Sequence, residues 1–345
     1  MNISAKLKSF HTDKFCDITL LSKYRTRLMG IAIIWVILLH YGLGKVHNPI
    51  IGFIGDIGYA GVDLFLFLSG LGIYFSLAKN PNFKDFYTKR LLRIFPYFVP
   101  IILPVSLYNF FNGQISGLQV LLNASSLTFW VQGSFHINWY ISAIVALYLL
   151  TPFYYKILTK NPLIITIIFA AVEILISIFT HRYKIFTPRI PIYLIGMLFG
   201  YYIYNKKHID TKFLPLLLIL FAAGFGWLIY VINHFGPYDF KNTTGIYYYP
   251  FILIIVPLLL FICGCFELFP KLKFPILTFF GNYSLEIYLL HWYVIIALIH
   301  FDVAHGNLII TRILSFALII ILAVIFRKII LFLMAKFTKS KLFKV

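Results

Sequence analysis

Charged side chains are scarce in this sequence, and acidic ones are scarcest. Only 12% of the 345 residues are charged, with 11 acidic against 30 basic residues. A soluble domain usually carries about a quarter charged residues, so this composition excludes an ordinary soluble protein. Apolar residues make up 61% of the chain. They fall in runs close to the roughly 20 residues that a membrane-spanning helix needs.

Several kinds of functional motif are also missing. The three cysteines, Cys16, Cys263 and Cys265, form no disulfide or zinc pattern. No HExxH, P-loop or GxSxG sequence occurs, so we expect no metal site, nucleotide hydrolase or soluble-type hydrolase. The first 23 residues are polar and lysine-bearing, and no small-residue cleavage site follows the first apolar run. We therefore expect no cleavable signal peptide.

Gaps between charges, together with turn-type residues, divide the chain into about ten predicted membrane spans. No repeat, linker or low-complexity segment interrupts them, so we predict an all-α polytopic membrane protein with a single domain over residues 1–345. The predicted spans lie at 28–46, 58–78, 94–111, 137–157, 162–180, 189–205, 213–232, 248–266, 275–299 and 308–334.

The net charge of +19 would suggest nucleic-acid binding in a soluble protein. In a membrane protein, lysine and arginine collect in cytoplasmic loops instead, and we expect no nucleic-acid partner. Most basic residues fall on one side of the predicted bundle, including those of residues 1–23. This asymmetry places both termini in the cytoplasm and requires an even number of spans.

Two arginines begin the third predicted span. Arg90 and Arg93 are three residues apart and share a helical face, with Lys89 beside them. Arginine holds phosphate through two parallel hydrogen bonds, so this face suits a phosphate-bearing cytosolic ligand. The alternative is that these side chains are positive-inside anchors that reach lipid headgroups.

A histidine lies in the outer part of the first span. A histidine within an apolar segment is costly and indicates a functional site, although one satisfied by a neighbouring helix is the plainer interpretation. His40 could act as a general base, and Asp63 of the next span could orient it. Asp63 could equally be an interfacial carboxylate or a partner of Lys45. Ser69-Gly70 suits close helix packing better than a nucleophilic role.

Polar residues also mark the ninth and fourth spans. Glu286 is predicted near the middle of the ninth helix, and His291 lies outward of it on the face of Ser284 and Tyr288. Such a polar stripe should face the bundle interior or a cavity. At the outer start of the fourth span, we interpret the residues as an aromatic belt or as the lining of a sugar-binding cleft; they are His136, Trp139 and Tyr140.

Five stretches together resemble the membrane-bound acyltransferase-3 family. They occur in the family's order across most of the chain, and they are MGIAIIWVILLH (29–40), GVDLFLFLSG (61–70), FYTKRLLRIFP (86–96), WYISAIVALYLLTP (139–152) and GNYSLEIYLLH (281–291). The resemblance implies ten helices. It also implies that His40 is catalytic and that Arg90 and Arg93 serve acyl-CoA binding.

The sequence departs from the family's pattern at two places. Many members have arginine where this chain has Met29, and Arg25 lies one helical turn earlier on the same face, with Arg27 nearby. Either arginine could substitute for the missing one. Many members also carry a glutamate shortly after the Trp139 position, where this chain has Ala143 and Ile144.

Together these features lead us to expect an integral-membrane O-acetyltransferase of polysaccharide biosynthesis in a bacterial plasma (inner) membrane. Acetyl-CoA would be the donor, and a sugar hydroxyl of a polymeric or lipid-linked envelope glycan would be the acceptor. Membrane lipids would be the other partners, and no metal is expected. Two alternatives stay open: a glycan exporter or flippase without acyl transfer, and a catalytically silent relative, because of Met29.

Overall fold

The computed structural model describes residues 15–42, 48–133, 138–207, 209–236, 245–303 and 305–339. Within these ranges the secondary structure is helical, with short 3-10 turns and no β-strand. The helices of these ranges are α1 (Thr19–Lys23), α2 (Arg25–His40), α3 (Pro49–Asp56), α4 (Ala60–Lys79), α5 (Phe83–Phe111), α6 (Gly117–Ala124), α7 (Thr128–Gln132), α8 (Trp139–Leu158), α9 (Pro162–Phe179), α10 (Ile190–Tyr204), α11 (Leu214–Phe235), α12 (Pro250–Leu268), α13 (Pro275–Asn282), α14 (Ser284–His300) and α15 (Leu308–Lys339). The all-α class is confirmed.

The length and apolar character of the helices indicate a multi-pass membrane protein. In the part of the chain that the structure describes, seven helices could cross a membrane, or eight if the bent pair α13 and α14 is one span. The helices α2 and α10 are shorter, with 16 and 15 residues. About ten spans and two cytoplasmic termini therefore stay predictions. Residues 1–14 of the predicted cytoplasmic segment lie outside the described residues.

Two spans begin earlier than the sequence predicts. The second continues backward without a break, so that one helical run covers Pro49–Lys79. The third begins at Phe83 because the Asn82 side chain caps it, accepting a hydrogen bond from the backbone N–H of Asp85 at 3.1 Å. Arg93 is therefore more than two turns inside α5 rather than at its mouth.

The prediction that the ninth span is one continuous helix is wrong, because α13 and α14 meet at a 77° bend. Gly281 approaches the Thr26 carbonyl so closely that no side chain would fit there, and the Asn282 carbonyl accepts a hydrogen bond from Arg327 at 2.6 Å. Both contacts hold the backbone at the break. Glu286 accordingly lies in the first turn of α14, not in the middle of a continuous helix.

Glycine allows the buried helix α4 to pack directly on α10. A Cβ on Gly70 would lie 2.3 Å from the Tyr193 carbonyl, and one on Gly196 would lie 2.2 Å from the Phe67 carbonyl. Small residues allow such backbone approach in membrane bundles. Gly70 therefore has the close-packing role predicted for Ser69-Gly70. The neighbouring Ser69 side chain lies on a different surface of α4.

Candidate functional site

A cleft with three arginines opens between α2, α4, α5, α8 and α14. Its cavity volume is about 70 Å³, and it is partly open to the outside. Pockets that enclose a whole drug-sized ligand are several times larger, at about 300–1,000 Å³, so this cleft has room for only part of a ligand. We call it the arginine cleft, and it is lined by Arg25, Met29, Phe65, Ser69, Ile73, Arg90, Arg93, Ile94, Tyr140, Ile141, Ile144, Tyr148, Ser284, Leu285 and Tyr288.

The three guanidinium groups of the arginine cleft form no salt bridge with a described carboxylate, although Glu286 is close enough to Arg93 to interact with it electrostatically. Among the described residues, ion pairs join Lys23 to Glu267, Arg189 to Asp63, Lys212 to Asp210 and Arg327 to Glu286, and none includes an arginine of the cleft. Arg90 packs against Phe86 and Tyr148 at 5.4 and 5.8 Å from the ring centroids, and its Nε is buried without a hydrogen-bond partner. The three arginines give this cleft a net positive charge.

Arg25 is the first-helix arginine that reaches the cleft. Its Nε donates a hydrogen bond to the Leu68 carbonyl at 2.9 Å, and a Cβ at Gly72 would lie 2.9 Å from its guanidinium. Arg27 instead stacks on Tyr24 at 4.8 Å and does not line the cleft. Of the two substitutes for the missing family arginine, the geometry favours Arg25.

His40 ends α2, the helix that Arg25 begins, so about 22 Å of helix separates the two residues. Its Nδ1 lies 2.8 Å from the Val36 carbonyl. Because a carbonyl only accepts hydrogen bonds, Nδ1 carries the proton and Nε2 of the neutral ring carries the lone pair. This tautomer leaves Nε2 as the atom that could accept a substrate proton.

A line of ring contacts connects His40 to the arginine cleft. The His40 ring meets the buried His291 ring at 4.8 Å between centroids, and His291 meets Tyr288 at 5.6 Å. Tyr288 lines the cleft and packs against Tyr140 at 5.2 Å. The polar stripe predicted on α14 therefore points inward, and it joins the two ends of the site.

Asp63 does not orient His40. It is fully buried against the equally buried Arg189, with 3.7 Å between Asp63 Oδ1 and Arg189 Nε. Arg189 lies 4.0 Å over the Tyr248 ring. A carboxylate at this depth needs a buried cation, and the 3-10 turn at Thr187–Arg189 supplies one. Lys45, the other partner considered, lies outside the described residues.

Two further predicted site residues lie away from the arginine cleft. Lys89 is exposed and is not among the lining residues, because it points away from the face that Arg90 and Arg93 share. Trp139 is buried 5.4 Å from Arg189, so of the aromatic pair only Tyr140 lines a cleft. His136 lies outside the described residues.

Glu286 is not an isolated carboxylate. Its Oε1 lies 3.3 Å from Nε of Arg327, whose guanidinium also lies 4.7 Å from the Tyr283 ring centroid. The buried charge is thus compensated within the bundle, which makes a structural role at the α13–α14 break the simpler one.

Sequence reasoning missed Arg189 and Arg327 as partners of buried carboxylates. The available signal was charge balance. Each apolar span with a lone acid needs a cation at similar depth, and basic residues are few on the side where Arg189 lies. Neither pairing follows from local spacing, because the partners are far apart along the chain.

Comparison with known families decides the class. The model of the acyltransferase-3 family, described as an acyltransferase domain, matches residues 28–328. The chain belongs to the acyltransferase-3 family. It is a multi-pass membrane acyltransferase, and the matched range includes both the arginine cleft and His40. Comparisons with curated proteins and with solved structures gave no match.

Proposed function

We propose that this acyltransferase-3 protein is an O-acetyltransferase. It would move acetyl from cytosolic acetyl-CoA to a sugar hydroxyl of a bacterial cell-envelope polysaccharide, in the plasma membrane. The observation that carries the proposal is the set of three arginines around one cleft without a carboxylate partner, with His40 at the other end of α2.

The donor assignment follows from charge. Coenzyme A carries several phosphate groups, and guanidinium groups bind phosphate strongly through paired hydrogen bonds. Arg25, Arg90 and Arg93 would hold these phosphates at the cleft, where no internal carboxylate competes for them. The pantetheine arm would extend past Tyr140 and Tyr288, the rings that lead toward His40.

The acceptor step would use Nε2 of His40. Nε2 takes the proton of a sugar hydroxyl while that oxygen attacks the thioester carbonyl carbon. The carbon–sulfur bond then breaks, CoA leaves as its thiolate, and the proton on His40 passes to the sulfur. His291 supports the His40 ring through its edge contact and is a positioning residue in this scheme. A base role needs no acyl-histidine intermediate.

The test uses inside-out vesicles with acetyl-CoA labelled on its acetyl group and host envelope glycan. The double variant Arg90→Ala, Arg93→Ala should lose acetyl-CoA binding and label transfer. The single variants Arg27→Ala and Lys89→Ala are matched controls, because they remove a cation from the same segments but not from the cleft. Controls that lose binding as fully as the double variant would overturn the arginine assignment. Wild type that neither binds acetyl-CoA nor transfers label would overturn the proposed function.

A glycan exporter without acyl transfer is the second candidate. The observation in its favour is the 77° break between α13 and α14, since transporters bind substrates at discontinuous helices. Transporters of this kind usually carry such breaks in both halves of an internal repeat. Among the described residues, one bent helix pair, α13 and α14, is together long and apolar enough to form a broken span. Glycan movement without label transfer in the same vesicles would favour this candidate.

A further inference from the structure

A second cleft lies along the same helices as the arginine cleft. Its cavity volume is about 440 Å³, and it is bounded by α5, α6, α7, α8 and α14. Phe98 of α5 lines it, one turn beyond Ile94 of the arginine cleft, and Tyr293 of α14 lines it, beyond Tyr288. The two clefts are therefore stacked along three shared helices, and we call the second one the amide cleft.

The described residues that line the amide cleft are uncharged, and they combine amide and hydroxyl side chains with apolar ones. All three glutamines of the chain line it, Gln114, Gln119 and Gln132, together with asparagines, serines and a threonine. No charged side chain occurs among its lining residues in the described part of the chain. Amides and hydroxyls both donate and accept hydrogen bonds, so such a surface matches a ligand rich in hydroxyl groups.

One wall of the amide cleft is organised by hydrogen bonds. The Asn123 side-chain oxygen accepts hydrogen bonds from Thr128 at 2.6 Å and from Gln119 at 3.2 Å. The Asn123 amide nitrogen donates to Ser106, which is buried, at 3.0 Å. These contacts hold the amide groups in fixed directions before any ligand arrives, which reduces the entropy lost on binding.

The opposite wall offers a buried hydroxyl. Ser142 of α8 is 4% exposed and lines the cleft, and no hydrogen bond joins its hydroxyl to another described residue. Near it, the Asn138 amide donates to the Tyr293 hydroxyl at 2.7 Å. The Ser142 hydroxyl can therefore donate a hydrogen bond to a ligand in the cleft or accept one from it.

On α14, one lining residue of the amide cleft is next in sequence to a contact of His40. The ring of Trp292 lies 5.0 Å from the His40 ring, and the following residue, Tyr293, lines the cleft. The Tyr293 backbone is thus near the residues that contact His40, while its side chain points in a different direction from that of Trp292.

We propose that the amide cleft binds the acceptor and selects an uncharged carbohydrate, presenting one of its hydroxyls toward His40. This inference rests on the proposed acetyl transfer. An acidic sugar would have to bury its carboxylate in a cleft whose described lining residues include no cation to pair with it, which is unfavourable. Neutral hydroxyls, in contrast, would find both donors and acceptors.

A binding experiment tests the cleft without the donor. Ser142→Cys is made in a Cys265→Ser background and labelled with a membrane-impermeant methanethiosulfonate. The added probes are the neutral and acidic oligosaccharide fractions of the host envelope, separated by anion exchange. The neutral fraction should slow labelling of Ser142→Cys severalfold, while the acidic fraction should not. Ser125→Cys is the matched control, because Ser125 is exposed in the same segment but does not line the cleft.

A kinetic experiment tests selection. Ser142→Ala and Asn123→Ala should each raise KM for the neutral glycan about three- to tenfold, the range for one or two lost hydrogen bonds. KM for acetyl-CoA should not change. Gln114→Lys, which places a cation at the exposed rim, should allow label to enter the acidic fraction. Asn112→Lys, two residues away and outside the lining, should not.

The outcomes separate the two proposals. Equal protection by both fractions, or by neither, overturns the amide-cleft assignment, and so does label that enters the acidic fraction with wild type. Acetyl-CoA binding on the same membranes reports only on the arginine cleft. If wild type does not bind acetyl-CoA, the proposed function is contradicted. Protection of Ser142→Cys by the neutral fraction would still support carbohydrate binding at the amide cleft.

Discussion

The arginine cleft and the amide cleft share three helices and yet differ completely in charge. The first is lined by three arginines without an acidic partner, and the second has only neutral lining residues in the described chain. One helical turn separates Ile94 from Phe98, the residues where α5 passes from one cleft to the other. Each cleft is thus matched to a different ligand chemistry within one bundle.

The arginines of this bundle differ in whether they form a salt bridge with a buried carboxylate. Arg189 and Arg327 are paired with buried carboxylates, Asp63 and Glu286, so their charges are already compensated. The arginines of the cleft form no salt bridge with a described carboxylate, and only Arg93 interacts electrostatically with Glu286, so an anionic ligand could supply their counter-charge. Pairing, rather than the presence of arginine, separates a binding residue from a structural one.

The largest expected effect is at His40, the proposed general base. His40→Ala should reduce acetyl transfer by about 10²–10⁴, the range for loss of a general base. Acetyl-CoA binding and glycan protection of Ser142→Cys should stay as in wild type, because the clefts themselves are unchanged. Transfer rates at saturating acetyl-CoA check this. A variant that keeps most of its activity would exclude His40 as the base.

A paired arginine should behave differently from an unpaired one. Asp63→Leu leaves Arg189 buried and uncompensated, so we expect it to lower the free energy of unfolding by about 3–5 kcal/mol. The double variant Asp63→Leu, Arg189→Met should recover much of this loss. Arg93→Met should cost far less stability, since no carboxylate pairs with Arg93. Thermal unfolding in detergent measures all three, and equal losses for Asp63→Leu and Arg93→Met would contradict the distinction.

Charge and geometry can be separated at Arg90. Arg90→Ala should weaken acetyl-CoA binding about 10- to 100-fold, as expected for a lost hydrogen bond to a charged group. Arg90→Lys keeps the positive charge but loses the planar guanidinium group. Its affinity for acetyl-CoA should therefore lie between those of wild type and Arg90→Ala. Equilibrium binding of labelled acetyl-CoA provides the measurement. Lysine as poor as alanine would show that geometry alone matters at this position.

The smallest expected effect is the response to ionic strength, which should differ between the two clefts. Raising ionic strength from about 0.1 to about 1 M shortens the Debye length from about 10 to about 3 Å. Acetyl-CoA binding at the arginine cleft should weaken severalfold, while KM for the neutral glycan should hardly change. Both quantities can be measured in the same vesicles. A salt-dependent glycan KM would indicate that charge also acts at the amide cleft.

Features that depend on local spacing were predicted from the sequence. The three-residue spacing of Arg90 and Arg93 places both in one cleft, and the stripe of Ser284, Tyr288 and His291 faces inward as expected. Helix periodicity alone decides which side chains share a face, so no tertiary information was needed.

Features that depend on distant contacts were not predicted. The partner of Asp63 is Arg189 rather than His40, and the break after Asn282 is held by Gly281 and Arg327. The amide cleft draws on the segment between α5 and α8, whose neutral residues show no periodic pattern that would indicate a site.

The sequence alone indicates a helical, membrane-embedded protein, because composition and periodicity act over a few turns, and five motif stretches in order resemble the acyltransferase-3 family. It also indicated His40 and the arginine pair. Only the tertiary structure decided which charges are compensated and where the helices leave space. Both depend on side chains that are distant in the chain and meet only when the bundle packs.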